Sequence, residues 1–321
     1  MTPAPPPTSA GSHADLVGTI GNTPMVDLRR LAASPHVRLW AKLELANPTG
    51  SVKDRVAKAM LDEAIASGAL RPGQTILEPT SGNTGISLAL LGARLGHPVR
   101  VVMPDNTTRE RTQLLRLYGA EIVSSPGSEG SNGAIRLAAR LAADDRSLFM
   151  PFQYGNEANP RAHEQTTGPE ILAAVPELDA FVAGLGTGGT LTGVGRFLRR
   201  ARPEARVIAA EPLPGEQVQG LRSLEEGFVP PVLDASVLGD RRLVSNRDAL
   251  LGVRRLMREE GIFAGLSSGA ALHVALQVAA EMGEGQLVVL LADGGWKYLS
   301  TGLWSRDINE LEEELEGSIL W

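Results

Sequence analysis

The sequence predicts an α/β fold of two lobes, each built on a parallel sheet. Three observations carry this. Short apolar runs of strand length alternate with helical patterns along most of the chain. Such alternation places strands side by side with helices on both faces. Two loops rich in Gly and hydroxyl residues each fall between a strand and a helix, where α/β sheets open their ligand sites.

The elements follow in order. Residues 1–13 are rich in Pro, Ser, Thr and Ala without an apolar period and predict a disordered leader. Strands are expected at Val37–Leu43, Thr75–Leu77, Val99–Met103, Glu121–Val123, Phe181–Ala183, Val207–Ala210 and Leu287–Leu291, all short apolar runs. Helices are expected at Lys53–Ala66, Thr84–Leu95, Arg109–Tyr118, Asn132–Ala143, Leu191–Arg200, Ala249–Glu259 and Gly269–Glu281. Ile308, Leu311 and Leu315 recur at helical spacing in the acidic stretch Asp307–Glu316; Gly317 is placed to cap it, and an apolar tail Ser318–Trp321 follows. Crossings between lobes are expected at Glu44–Asn47 and Met150–Asn159. This gives a large lobe of residues 14–44 plus 156–321 and a small, mobile lobe of residues 45–155.

The composition excludes several function classes. The 321 residues carry a net charge of −6, with 43% apolar and 21% charged residues, as in an ordinary globular protein. Lys and Arg are scattered, so no nucleic-acid footprint is expected. The longest apolar run, Leu287–Ala292, is too short to cross a bilayer. No charged-then-apolar leader precedes it, so no secretion signal is expected. Cysteine is absent, which removes disulfides and thiolate metal sites and fits a cytoplasmic protein. The five histidines form no metal-binding spacing, and no metal is expected.

Three motifs carry chemistry. Lys53 lies in Asn47-Pro48-Thr49-Gly50-Ser51-Val52-Lys53-Asp54 and opens a helix. A positive charge there opposes the helix dipole, so the rigid lead-in argues that the amine is placed for use. Positive surroundings and partial desolvation would lower its pKa and favour imine chemistry. Thr80-Ser81-Gly82-Asn83-Thr84-Gly85 is a donor-rich helix start suited to a carboxylate. An ordinary N-cap needs only one such residue. Gly184-Leu185-Gly186-Thr187-Gly188-Gly189-Thr190 joins a strand to a helix and suits a phosphate. Its glycines also match a dinucleotide fingerprint, with Glu211 near the ribose-binding acid, so a nicotinamide dehydrogenase is a rival. Amine, carboxylate cradle and phosphate cradle together suit pyridoxal phosphate (PLP) acting on an amino acid. Ser267-Ser268-Gly269 opens a further helix, where a neutral hydroxyl can meet the cofactor's ring nitrogen. It would leave the ring a weaker electron sink than an Asp would, favouring loss of a β-leaving group over transamination.

Together these residues resemble the cysteine synthase family of fold type II, tryptophan synthase β-like PLP enzymes. The resemblance runs from Gly18 to Leu303 and includes Gly21-Asn22-Thr23-Pro24 and Ala292-Asp293-Gly294-Gly295-Trp296-Lys297-Tyr298. It implies that Lys53 forms the Schiff base and that Asn83 meets the 3′-oxygen of PLP. Gly186, Thr187, Gly188, Gly189 and Thr190 would hold the phosphate, and Ser267 the ring nitrogen. Thr80, Ser81, Gly82, Thr84 and Gln153 would hold the substrate carboxylate. The family is usually dimeric, so a homodimer is expected.

Gly220-Leu221-Arg222, Glu226-Gly227-Phe228-Val229-Pro230 and the C-terminal Leu315-Glu316-Gly317 with Leu320-Trp321 are similar to the B-type enzymes, especially the O-phosphoserine sulfhydrylases, which place an arginine at the site's mouth. Gly188 and Ser268 stand where those tend to have Thr, and His163-Glu164-Gln165 is closer to O-acetylserine enzymes. B-type enzymes using O-acetylserine also carry such an arginine, so both substrates stay open. A dianionic phosphate gains most from Arg222, which favours O-phosphoserine. The sulfur donor is open among sulfide, thiosulfate and a protein thiocarboxylate, so a sulfur-carrier protein is one possible partner. Cystathionine β-synthase and serine or threonine dehydratase are rivals on the same scaffold.

Overall fold

The computed structural model describes residues 13–311 apart from 33 and 217. The expected leader (all but residue 13) and the C-terminal Gly317 cap and tail lie outside the described residues; of the last helix, residues 308–311 are described and are helical.

Two sheets form the framework. The larger has the strand order β1 (Met25–Asp27), β2 (Val37–Leu43), β10 (Gly285–Leu291), β7 (Ala180–Gly184), β8 (Arg206–Pro212), β9 (Asp240–Val244). The smaller runs β5 (Glu121–Ser125), β4 (Val99–Pro104), β3 (Thr75–Pro79), β6 (Leu148–Phe149). Every pairing is parallel except β1 with β2, so the large sheet is mixed rather than wholly parallel.

Side-chain alternation splits the large sheet's core in two. Leu39, Ala41, Val182, Ile208, Val289 and Leu291 face one layer, covered by α8 (Asn246–Glu260) and α9 (Leu266–Met282). Phe181, Ala183, Val207, Val288 and Leu290 face the other, covered by α6 (Gly168–Ala174) and α7 (Gly189–Ala201). Each fully buried Leu or Val contributes about 1.5–3 kcal/mol, so both faces must be covered. In the small sheet Ile76, Val101 and Met103 meet α1 (Lys53–Ala66), α2 (Asn83–Leu95) and α3 (Arg109–Leu117). Leu77 and Val102 meet α4 (Gly130–Asp144) on the other side.

Three strands were not foreseen: β1, β6 and β9. β9 reads Asp-Arg-Arg-Leu-Val and lies at an edge, with only Val244 buried. The expected crossing Met150–Asn159 runs into α5 (Ala158–Ala162), which continues through a π-helical turn, His163–Thr167, into α6. The loops that leave the C-terminal ends of β2, β3, β6, β7, β8 and β10 converge between the two sheets.

Candidate active site

Lys53 is held by a locked turn. Gly50 donates its N–H to Asn47 O at 2.7 Å, and Val52 donates to Ala292 O at 2.8 Å. Asp54 accepts from the Thr49 N–H at 2.7 Å and from the Thr49 and Ser87 hydroxyls at 2.5 Å each. Gly50 has φ +74°, and a Cβ there would lie 2.2 Å from the Trp296 ring, so only glycine fits. Burial lowers the pKa of the Lys53 amine, against the pull of Asp293. Desolvation therefore does the lowering, as expected, while the expected positive surroundings are not its main cause. Among the described residues the amine has no hydrogen-bond acceptor.

The carboxylate-type loop follows β3. Thr80 Oγ1 accepts the Gly82 N–H at 3.0 Å. Thr84 donates its hydroxyl to Gln153 Oε1 at 2.6 Å, and Gln153 Nε2 donates to Pro79 O at 3.2 Å. Gly82 does not line the cleft; with φ +149° and Arg111 2.4 Å from where a Cβ would sit, it shapes the loop.

The Gly/Thr loop joins β7 to α7. Gly188 is left-handed, with φ +82°. A Cβ on Gly186 would lie 2.6 Å from Gly220 O, and one on Gly189 would lie 1.9 Å from Asn159 Oδ1. Gly189 is thus a packing residue behind the cradle. Asn159 Nδ2 donates to Thr187 Oγ1 at 3.0 Å, and Thr190 Oγ1 lies 3.2 Å from His163 Nε2. His163 contacts Thr167 Oγ1 at 2.9 Å through its other nitrogen, and burial holds its pKa well below the ordinary value, so the imidazole is neutral.

Ser267 sits in the first turn of α9, 6% exposed, its hydroxyl without a protein partner among the described residues. Arg222 is buried rather than at an open mouth. It donates to Asn132 Oδ1 at 2.8 Å and lies 4.9 Å from the Phe228 ring centroid and 5.5 Å from that of Tyr154.

These residues meet in one cleft, lined among others by Lys53, Thr80, Ser81, Asn83, Thr84, Gln153, Gly186, Thr187, Arg222 and Ser267. A second recess shares Lys53, Gly186, Thr187 and Ser267 and adds Gly188 and Thr190. The parts fit PLP. A glycine cradle at a helix N-terminus suits a phosphate, an unpartnered hydroxyl suits a ring nitrogen, and an amine of lowered basicity suits an aldehyde. Glu211, the acid that kept the nicotinamide reading open, is fully buried and accepts the Leu224 N–H at 2.6 Å; it is structural.

Sequence reasoning missed four charged groups around the cleft. Arg111 lines it, donating to Ser81 O at 3.2 Å and Gln219 Oε1 at 3.1 Å. Glu78 lies behind Gln153, Asp293 behind Asn83, and Lys297 beside it. The only available signal was that Asp293 and Lys297 fall in a motif resembling the family's.

Fold and cleft define a PLP enzyme, and comparison with known proteins agrees. The chain matches the pyridoxal-phosphate dependent enzyme family over residues 16–294 and belongs to it. It is 45% identical to a cysteine synthase of Staphylococcus aureus (strain Mu50) over 298 residues, 90% of this chain and 96% of that one. It is 44% identical to a probable cysteine synthase of Bacillus subtilis (strain 168) over 304 residues, 91% of this chain and 98% of that one. The crystal structure of an O-ureido-L-serine synthase superposes with a TM-score of 0.86 at 44% identity, covering 91% of this chain and 95% of that one. Among the described residues no helix is long and apolar enough to cross a membrane, and no cluster of His, Asp and Glu is arranged to hold a metal.

Proposed function

We propose that this enzyme replaces the β-oxygen leaving group of an activated L-serine with a sulfur nucleophile, making L-cysteine, and that O-phosphoserine is its preferred substrate. The observation that carries the substrate choice is Arg222, buried in the same cleft as Lys53 and fixed by Asn132. A guanidinium held in this way gains far more from a phosphate than from an acetyl ester. The cysteine synthases among its relatives support the sulfur half. The O-ureido-L-serine synthase supports β-replacement more generally.

In this reading Lys53 holds the cofactor, Asn83 meets its 3′-oxygen, the loop from Gly186 to Thr190 binds its phosphate and Ser267 meets its ring nitrogen. Bound PLP supplies an electron sink for negative charge at the substrate α-carbon. The Thr80–Thr84 loop and Gln153 grip the α-carboxylate and draw the small lobe, residues 45–155, over the large one, excluding water. The Lys53 amine removes the α-proton and later returns it. Arg222 takes the departing phosphate's charge. The enzyme acts as a cytoplasmic homodimer on small-molecule substrates.

The test is cysteine formation by the holoenzyme from O-phosphoserine and O-acetylserine, with sulfide as donor. Arg222→Ala should lower kcat/KM for O-phosphoserine about 10- to 150-fold, the loss of a charge-assisted bond of about 1.5–3 kcal/mol, and change the acetyl substrate far less. Equal losses on both would remove the phosphate preference. No cysteine from either would remove the reading.

A further inference from the structure

Lys297 belongs to a motif to which the proposed reaction assigns no role. It follows β10, is fully buried, and reaches across to two partners. Its ammonium donates to Gly50 O at 3.2 Å and to Asn83 Oδ1 at 2.7 Å. Gly50 lies in the turn that presents Lys53, and Asn83 lines the cleft. On the other side of the same amide, Asn83 Nδ2 donates to Asp293 Oδ2 at 2.8 Å. Asp293 also accepts from the Tyr298 hydroxyl at 2.6 Å.

The chemistry of the two ends fixes the amide. An ammonium only donates, so it must meet the oxygen. A carboxylate only accepts, so it must meet the NH2. Asn83 is therefore locked in one orientation from both sides, and one hydrogen of its NH2 is left for the cleft. Turned over, the same side chain would offer the cleft an acceptor, which would repel an anionic oxygen.

We propose that Lys297 is a positioning residue for the cofactor: it locks the Asn83 amide so that Asn83 meets PLP as a hydrogen-bond donor. The inference rests on PLP as cofactor and is independent of which serine derivative or sulfur donor is used.

The experiment is a double-mutant cycle read by PLP binding. Apoprotein of wild type, Lys297→Met, Asn83→Ala and the double variant is titrated with PLP, and the absorption spectrum of each loaded form is recorded. Lys297→Met should weaken PLP binding about tenfold, the loss of one charged hydrogen bond, and shift the cofactor's absorption maximum. Lys297→Arg, which keeps donors and charge, should recover much of both. In the Asn83→Ala background Lys297→Met should change neither by more than about twofold, because the amide it locks is gone and only its longer bond to Gly50 O is lost. The same tenfold loss in both backgrounds, or an unchanged spectrum and affinity for Lys297→Met, would overturn the proposal. If Lys297→Met does not fold, Lys297→Gln replaces it in the same cycle. Gln keeps one donor without the charge, so about threefold weaker binding is expected, again only when Asn83 is present. Failure of the substrate reading would leave every one of these outcomes unchanged.

Discussion

Lys53 and Lys297 are both amines at the same cleft, Lys297 fully buried and Lys53 half-buried, and desolvation lowers the pKa of both, Lys297 to about 8. They differ in their partners. Lys297 spends its hydrogens on Gly50 O and Asn83 Oδ1, with Asp293 and Asp54 as nearby countercharges. Lys53 lines the open cleft and has Asp293 near it, but no acceptor among the described residues. A desolvated amine without an acceptor is a cost to the fold, kept where chemistry needs it. A desolvated amine with two acceptors holds structure in place.

The largest effect expected from this difference is on turnover. Lys53→Ala should fold, because Ala is a good helix former at the start of α1. It should lose turnover by about 10³-fold or more and lose the visible absorbance of covalently held PLP. Near-normal turnover in this variant, measured as cysteine released from either activated serine, would break the comparison at its first term.

Stability sharpens it next, and here the two lysines should move in opposite directions. Lys53→Met exchanges an unpartnered, partly desolvated amine for an apolar chain and should hold or raise the apoprotein's Tm. Lys297→Met leaves two buried acceptors without a donor and should cost about 1–3 kcal/mol in urea unfolding. Equal shifts for the pair would mean that burial alone, and not partnership, separates them.

How much of this was legible differs between fold and site. Helix and strand positions could be read because apolar periodicity is local: Lys53–Ala66 was placed at both ends, and β2 likewise. β9 was lost because an exposed edge strand of charged residues carries no apolar run. The Gly-rich loops announced themselves because close backbone approach demands glycine within a few residues. Lys297 did not, since its partner Asn83 is 214 positions away and nothing in its own neighbourhood implies burial. Arg222 was found from its motif, yet its aromatic walls, Tyr154 and Phe228, come from separate loops.

Glu78 extends the contrast from cations to an anion, with the smallest effect at any one step of pH. It is fully buried in β3, and its two oxygens accept the N–H groups of Phe152 at 2.7 Å and Gln153 at 2.9 Å. Phe152 is left-handed, with φ +58°, so the carboxyl pins a strained turn that aims Gln153 at Thr84. Burial raises its pKa to about 8, although both N–H groups pull the other way. A carboxyl whose pKa rises on folding binds its proton more tightly in the folded state. Its contribution to stability is therefore full below the unfolded value of about 4.5, and declines as pH rises from there through about 8. Glu78→Gln removes that proton. The stability of wild type relative to Glu78→Gln, from urea unfolding at a series of pH values, should fall by up to about 1.4 kcal/mol per pH unit inside this window and level off on either side. A flat difference would mean that the two N–H bonds outweigh burial and that Glu78 stays ionised throughout. The turn would then be held by an anion satisfied as fully as Lys297, and the carboxyl would join the partnered side of the comparison.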